Sequence, residues 1–150
     1  MTPEPRISRA AYLLGYAGLL PQLAAVLALA LYGSRAADAL PVILAYAYPS
    51  LILSFLGGVW WGFAMRRDRT QVALVVIAVL PSLAPIAIMF MTPRWTGVSL
   101  VLLGTAVLLT LFIDRHLVRA GDAPPNWMRL RAPLSLGLGG LTILAGLLAA

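Results

Sequence analysis

Residues 40–65 read LPVILAYAYPSLILSFLGGVWWGFAM, an apolar run of 26 residues without one charged side chain. Crossing the hydrocarbon of a bilayer takes about 20 such residues in a helix, so this stretch predicts a membrane-spanning segment. Pro41 falls in its first turn, where a missing N–H is not needed, and Arg66-Arg67-Asp68-Arg69 ends it. Similar apolar runs lie on both sides, at about 10–31, 72–91, 95–113 and 134–148. Between them stand a polar turn from Gly33 to Asp38, the Thr92-Pro93-Arg94 break, and a longer polar segment from Asp114 to Pro133.

The composition agrees. The 150 residues are 61% hydrophobic and 11% charged, against roughly half and a quarter in soluble domains. The expected fold is an all-α integral membrane protein, a bundle of five transmembrane helices in one domain, with no room for a separate soluble domain. The runs are too long and continuous for the alternating strands of an outer-membrane barrel.

Arginine sets the expected direction. Nine arginines (Arg6, Arg9, Arg66, Arg67, Arg69, Arg115, Arg119, Arg129 and Arg131) fall on one side and two, Arg35 and Arg94, on the other. Positive charge is retained on the cytoplasmic side, which places the N-terminus in the cytoplasm and the C-terminus outside. Tyr12, Trp60, Trp61, Phe63 and Trp127 then mark the inner boundary, and Tyr32, Phe90 and Trp95 the outer. The first run exceeds the 7 to 15 residues of a signal-peptide core, so it reads as a retained helix. All 11 basic residues are arginine, which suggests a GC-rich bacterial genome and hence a bacterial inner membrane.

Several chemistries are disfavoured. With no cysteine there is no disulfide, thiolate or iron–sulfur chemistry. The net charge of +6 is scattered among the gaps, with no basic stripe for nucleic acid. None of the five apolar cores contains Asp, Glu, Lys, Arg or His, whereas ion-coupled transporters place such groups inside the membrane. Candidate acid–base residues gather at one end: Asp68, Asp114, His116 and Asp122. Asp114 and His116 are two apart and would point away from each other on a helix. No catalytic residue, metal site or cofactor is expected.

Ser50, Ser54, Gly58 and Gly62 recur every four residues and share one helix face. Small residues let membrane helices approach closely, either within the bundle or against another subunit. Gln22 follows Pro21, whose ring leaves the Ala17 carbonyl without its donor. Its amide suits a helix–helix hydrogen bond or, with Pro49, Trp61 and Pro81 at kinked helices, a ligand contact. Arg66, Arg67, Arg115, Arg129 and Arg131, with Trp127, suit anionic lipid headgroups.

Leu14-Gly15-Tyr16-Ala17-Gly18-Leu19-Leu20-Pro21, Ser54-Phe55-Leu56-Gly57-Gly58-Val59-Trp60-Trp61-Gly62, Pro81-Ser82-Leu83 and Pro125-Asn126-Trp127-Met128-Arg129-Leu130-Arg131 together resemble the family of domain of unknown function 3429, which includes mitochondrial transmembrane protein 69. Trp60 and Met128 depart from the polar or basic residue and the aromatic expected there. The resemblance implies a multi-helix membrane protein and carries no activity. The leading expectation is a non-enzymatic inner-membrane protein that packs with, stabilises or helps assemble a membrane complex, in contact with lipids and with another membrane protein or itself. The alternative is a binding or passage protein for a small apolar or lipid-like ligand.

Overall fold

A computed structural model describes residues 8–32, 40–67, 70–92 and 94–150. Of the residues weighed above, Arg6, Gly33, Arg35, Asp38, Asp68, Arg69 and Pro93, and the side chain of Tyr32, lie outside this description. The regular structure among the described residues is helical: α1 Arg9–Ala17, α2 Leu20–Tyr32, α3 Leu40–Met65, α4 Val72–Met91, α5 Thr96–Arg119 and α6 Trp127–Leu148. Among the described residues five spans are long and apolar enough to cross a membrane, with α1 and α2 together making the first, Arg9–Leu31.

The break between α1 and α2 has a local cause. Pro21 cannot donate to Ala17 and its ring crowds that carbonyl, so α1 stops there and the Gly18 amide turns back to the Leu14 and Gly15 carbonyls. Backbone groups freed in hydrocarbon need partners from within the protein. Tyr48 of α3 supplies one, its hydroxyl donating to the Gly18 carbonyl. Pro49, Pro81, Pro85 and Pro133 are instead carried inside α3, α4 and α6. Near Pro85, the Tyr46 hydroxyl donates to the Pro85 carbonyl at 2.6 Å and ties α3 to α4.

Two helices run further than the hydropathy pattern predicts. α5 continues past Ile113 through Asp114 and His116 to Arg119, and α6 begins at Trp127, seven residues before Leu134. The polar segment from Asp114 to Pro133 is therefore mostly helix, and within it Asp114 of α5 pairs with Arg131 of α6.

α5 and α6 approach most closely where both lack a side chain. A Cβ built on Gly104 would sit 2.7 Å from the Gly139 carbonyl oxygen, and one on Gly97 2.7 Å from that of Gly146. A third close approach joins α3 to α4, where a Cβ on Gly57 would meet the Ala78 carbonyl oxygen. Between these seams lie three apolar clusters. Val26, Leu29 and Leu100 fill one end, Leu53, Leu103 and Leu138 the middle, and Trp60, Leu74 and Leu117 the other end.

The four-residue stripe on α3 does not serve this internal packing. Gly57, one residue round the helix, makes the contact with α4, while Ser54, Gly58 and Gly62 are exposed and open space lies beyond both glycines of the stripe. Ser50 is half-buried and returns its hydroxyl to the Tyr46 carbonyl at 2.7 Å. Glycines with opposite environments should respond oppositely to substitution. Gly104→Val is expected to destabilise the bundle by about 1–3 kcal/mol through overpacking. Gly58→Ala should leave the protomer unchanged or slightly more stable, since alanine favours helix by up to about 1 kcal/mol. Thermal unfolding of the two variants in mild detergent checks both.

Candidate functional site

The polar centre of the molecule is Asp114, on α5, which is fully buried. Its Oδ1 accepts hydrogen bonds from the indole Nε1 of Trp60 and of Trp127, each at 2.9 Å. Its Oδ2 accepts from Arg131 Nε at 2.9 Å. Arg131 also reaches Thr110 Oγ1 through Nη2 at 3.3 Å, and Thr110 itself donates to the Val107 carbonyl at 2.6 Å. α3 thus contributes Trp60, α5 contributes Asp114 and Thr110, and α6 contributes Trp127 and Arg131.

Helical spacing explains the convergence. Thr110 and Asp114, and likewise Trp127 and Arg131, are four residues apart and share a face, so facing stripes on α5 and α6 present two polar groups each. Trp127 is steadied by an edge-to-face contact with Phe63 of α3, with ring centroids 5.6 Å apart at 85°. The turn between α5 and α6 is also specified. Gly121 takes φ +77°, the Asp122 amide bonds to the Leu117 carbonyl and the Gly121 amide to that of Val118. This is the Schellman ending, in which glycine accommodates the left-handed residue without a Cβ penalty.

Asp122, just beyond that ending, pairs with Arg67, which follows α3. Arg67 Nε lies 2.8 Å from Oδ1, and a second guanidinium nitrogen bonds Oδ2. The hydrogen bond to Asp122 raises the Arg67 pKa above its ordinary value. A raised basic pKa contributes stability throughout the range below the unfolded value and loses it only as pH climbs through the folded one. This pair therefore stays charged on its arginine side at physiological pH.

The absence of charge from the five apolar cores does not carry over to the helices themselves. Asp114 and Arg131 lie within spans of membrane-crossing length and are 0% and 6% exposed. They are accommodated because they form a hydrogen-bonded pair, whereas an unpaired charge at such depth is costly. The pairing also removes Arg131 from the headgroup-facing set, together with Arg67 and the indole N–H of Trp127. Arg66, Arg115 and Arg129 are exposed, as is His116, two residues from Asp114 on the opposite side of α5. Trp60, expected at the interface, is instead 2% exposed and donates to the carboxylate.

The four ligand-contact candidates are not brought together. Gln22 is sealed between helices, with Nε2 donating to the Ala45 carbonyl at 3.2 Å and to Thr142 Oγ1 at 3.1 Å. Pro49 is buried within α3, and Trp61 is 44% exposed on its outer side. Pro81 lines an apolar groove of about 450 Å³ between α3, α4 and α5, with Leu53, Trp60, Ala106 and Thr110. A second groove of similar volume runs between α1, the turn that follows it, α3, α5 and α6 past Leu19, Tyr48, Ile52, Arg131 and Ser135. Sequence reasoning missed Ser135 and the Asp114–Arg131 pair. The available signal was an acid near the end of one apolar run and a Trp–Arg pair, four apart, at the start of the next.

With Oδ1 bonded to two indoles and Oδ2 to a guanidinium, Asp114 acts as an anchor between helices. Among the described residues no group of three His, Cys or acidic side chains could hold a metal ion. Removing one partner of a buried pair typically costs about 3–5 kcal/mol, while replacing both by apolar groups is often near neutral. Arg131→Met should therefore destabilise strongly. Adding Asp114→Leu should recover much of the loss, so that the double variant is more stable than Arg131→Met alone in a thermal double-mutant cycle.

No curated protein and no solved structure matches the chain. The family model described as a protein of unknown function, DUF3429, matches residues 7–148, nearly the whole length, and the chain belongs to that family.

Proposed function

We propose that this protein is a non-catalytic, multi-pass component of a bacterial inner membrane that packs through α3 against another transmembrane helix, and in doing so stabilises or helps assemble a membrane complex. The observation that carries this reading is the outward Ser54, Gly58 and Gly62 face, with nothing within 4 Å of either glycine's Cβ direction. Close helix contact in lipid relies on small residues, because apolar association has no solvent to drive it. Glycine in a helix interior is disfavoured by up to about 1 kcal/mol relative to alanine, so two glycines on an otherwise unused face are accounted for by a partner backbone lying against them. Trp61, 44% exposed, flanks the face with a large side chain that a partner would cover.

The arginine bias supports an orientation with the Arg66, Arg115 and Arg129 end in the cytoplasm. At that end these exposed guanidiniums also suit anionic headgroups. The commitment of Asp114 to three donors supports a non-catalytic role.

Mild-detergent extraction followed by native electrophoresis and mass spectrometry tests the proposal. Wild type is expected to run in a species larger than one protomer. Gly58→Leu combined with Gly62→Leu should release the protomer, with at least a tenfold loss of the larger species and an unchanged thermal midpoint. A wild-type protein that runs as a clean monomer with nothing co-purifying overturns it.

A further inference from the structure

We propose that the groove between α1, the turn that follows it, α3, α5 and α6 binds an acyl lipid, whose carbonyl or carboxylate oxygen takes the hydrogen bond that Ser135 offers and whose chain lies against Leu19, Ile52 and Leu138. The first observation is Ser135 itself. It is 1% exposed, its Oγ has no hydrogen-bond partner, and it lines the groove. Helical hydroxyls commonly relieve burial by donating to the carbonyl one turn back, as Ser50 and Thr142 do here. Ser135 does not, so its donor remains available to an occupant.

Arg131, one turn earlier on the same face of α6, lines the same groove. Two of its contacts go to Asp114 and Thr110, out of five N–H donors on a guanidinium, and Asp114 balances its charge. The polar end of the groove therefore offers hydrogen-bond donors without a strong net charge. It suits an oxygen acceptor that is either neutral, as in an ester, or anionic, as in a carboxylate.

The remaining wall is apolar, and the volume of about 450 Å³ lies within the roughly 300–1,000 Å³ of small-molecule sites. Leu14 and Phe55 stand on its rim, 74% and 65% exposed on the lipid-facing side, so an occupant would enter sideways from the bilayer. Arg131 and Leu138 are seven residues apart, about 10 Å along the helix. Polar contact and hydrocarbon wall thus succeed each other along the helix axis, as the acyl oxygen and tail do in a lipid. Gly58 and Gly62 do not line the groove, so this inference stands apart from the α3 contact.

The test uses the full chain in mild detergent, stripped of lipid and then offered dioleoyl phosphatidylglycerol or oleic acid, with retention read by native mass spectrometry. Wild type should retain one molecule of at least one of the two. Retention of the phospholipid identifies a membrane ester as the source, and retention of oleic acid a free acyl chain. Ser135→Ala should weaken retention about fivefold, the ~1 kcal/mol of one hydrogen bond converted at 1.4 kcal/mol per tenfold. Ile52→Trp should abolish it by filling the groove. In the stripped protein Ser135→Ala should leave the thermal midpoint unchanged or raised, because it removes an unsatisfied buried hydroxyl, so weaker retention would not reflect misfolding. Equal retention by wild type and Ser135→Ala, which is the result if water alone satisfies Ser135 or if the lipid is only annular, overturns the proposal, as does no retention by wild type.

Discussion

A carboxylate placed between transmembrane helices has no water to turn to, so every helix around it must supply what solvent would have supplied. Asp114 imposes that requirement here. Its two oxygens draw on Trp60 from α3 and on Trp127 and Arg131 from α6, so the relative rotation and height of three helices are set by one side chain. The neighbouring Arg67–Asp122 pair repeats the device at the surface, linking the end of α3 to the turn after α5. Geometry is specified more strongly than stability by such buried pairs, since the desolvation of both ions offsets much of their attraction.

The opposite end of the bundle has no ion pair among the described residues and relies on close backbone approach. Gly97 against Gly146 and Gly104 against Gly139 let α5 and α6 touch along most of their length, and Gln22 adds hydrogen bonds to α3 and α6 across the first span. Glycine therefore has two distinct roles in this chain. Within the α5–α6 seam it is already matched by a neighbouring backbone, while on α3 the Gly58 and Gly62 face meets nothing in the protomer. The same residue type at the same spacing thus carries different meanings, and only neighbouring atoms distinguish them.

Helix kinks shape the spaces between the spans. The break at Gly18, forced by Pro21, turns the first span while Tyr48 holds its freed carbonyl, and the groove containing Ser135 opens beside it. A bent helix cannot pack uniformly against straight neighbours, so a gap beside the bend follows from the same proline that made the bend. Ser135, which borders that gap without a partner in the protein, faces either a ligand or a hydrogen-bond deficit.

The sequence by itself determined the number of spans, their order and the absence of cysteine chemistry, because hydrocarbon demands long apolar helices whatever their packing partners. It also located Pro21 as a bend and Gln22 as either a helix–helix donor or a ligand contact, between which the bonds to Ala45 and Thr142 chose the first. Tertiary structure alone decided that Arg131 faces Asp114 and not the headgroups, that Trp60 and Trp127 share one carboxylate oxygen, and that the Ser54, Gly58 and Gly62 face points outward while Gly57 packs inward. Hydropathy averages over a helix circumference, and a rotation of about 100° between adjacent residues separates a buried position from an exposed one. Only the positions of the other helices choose between them.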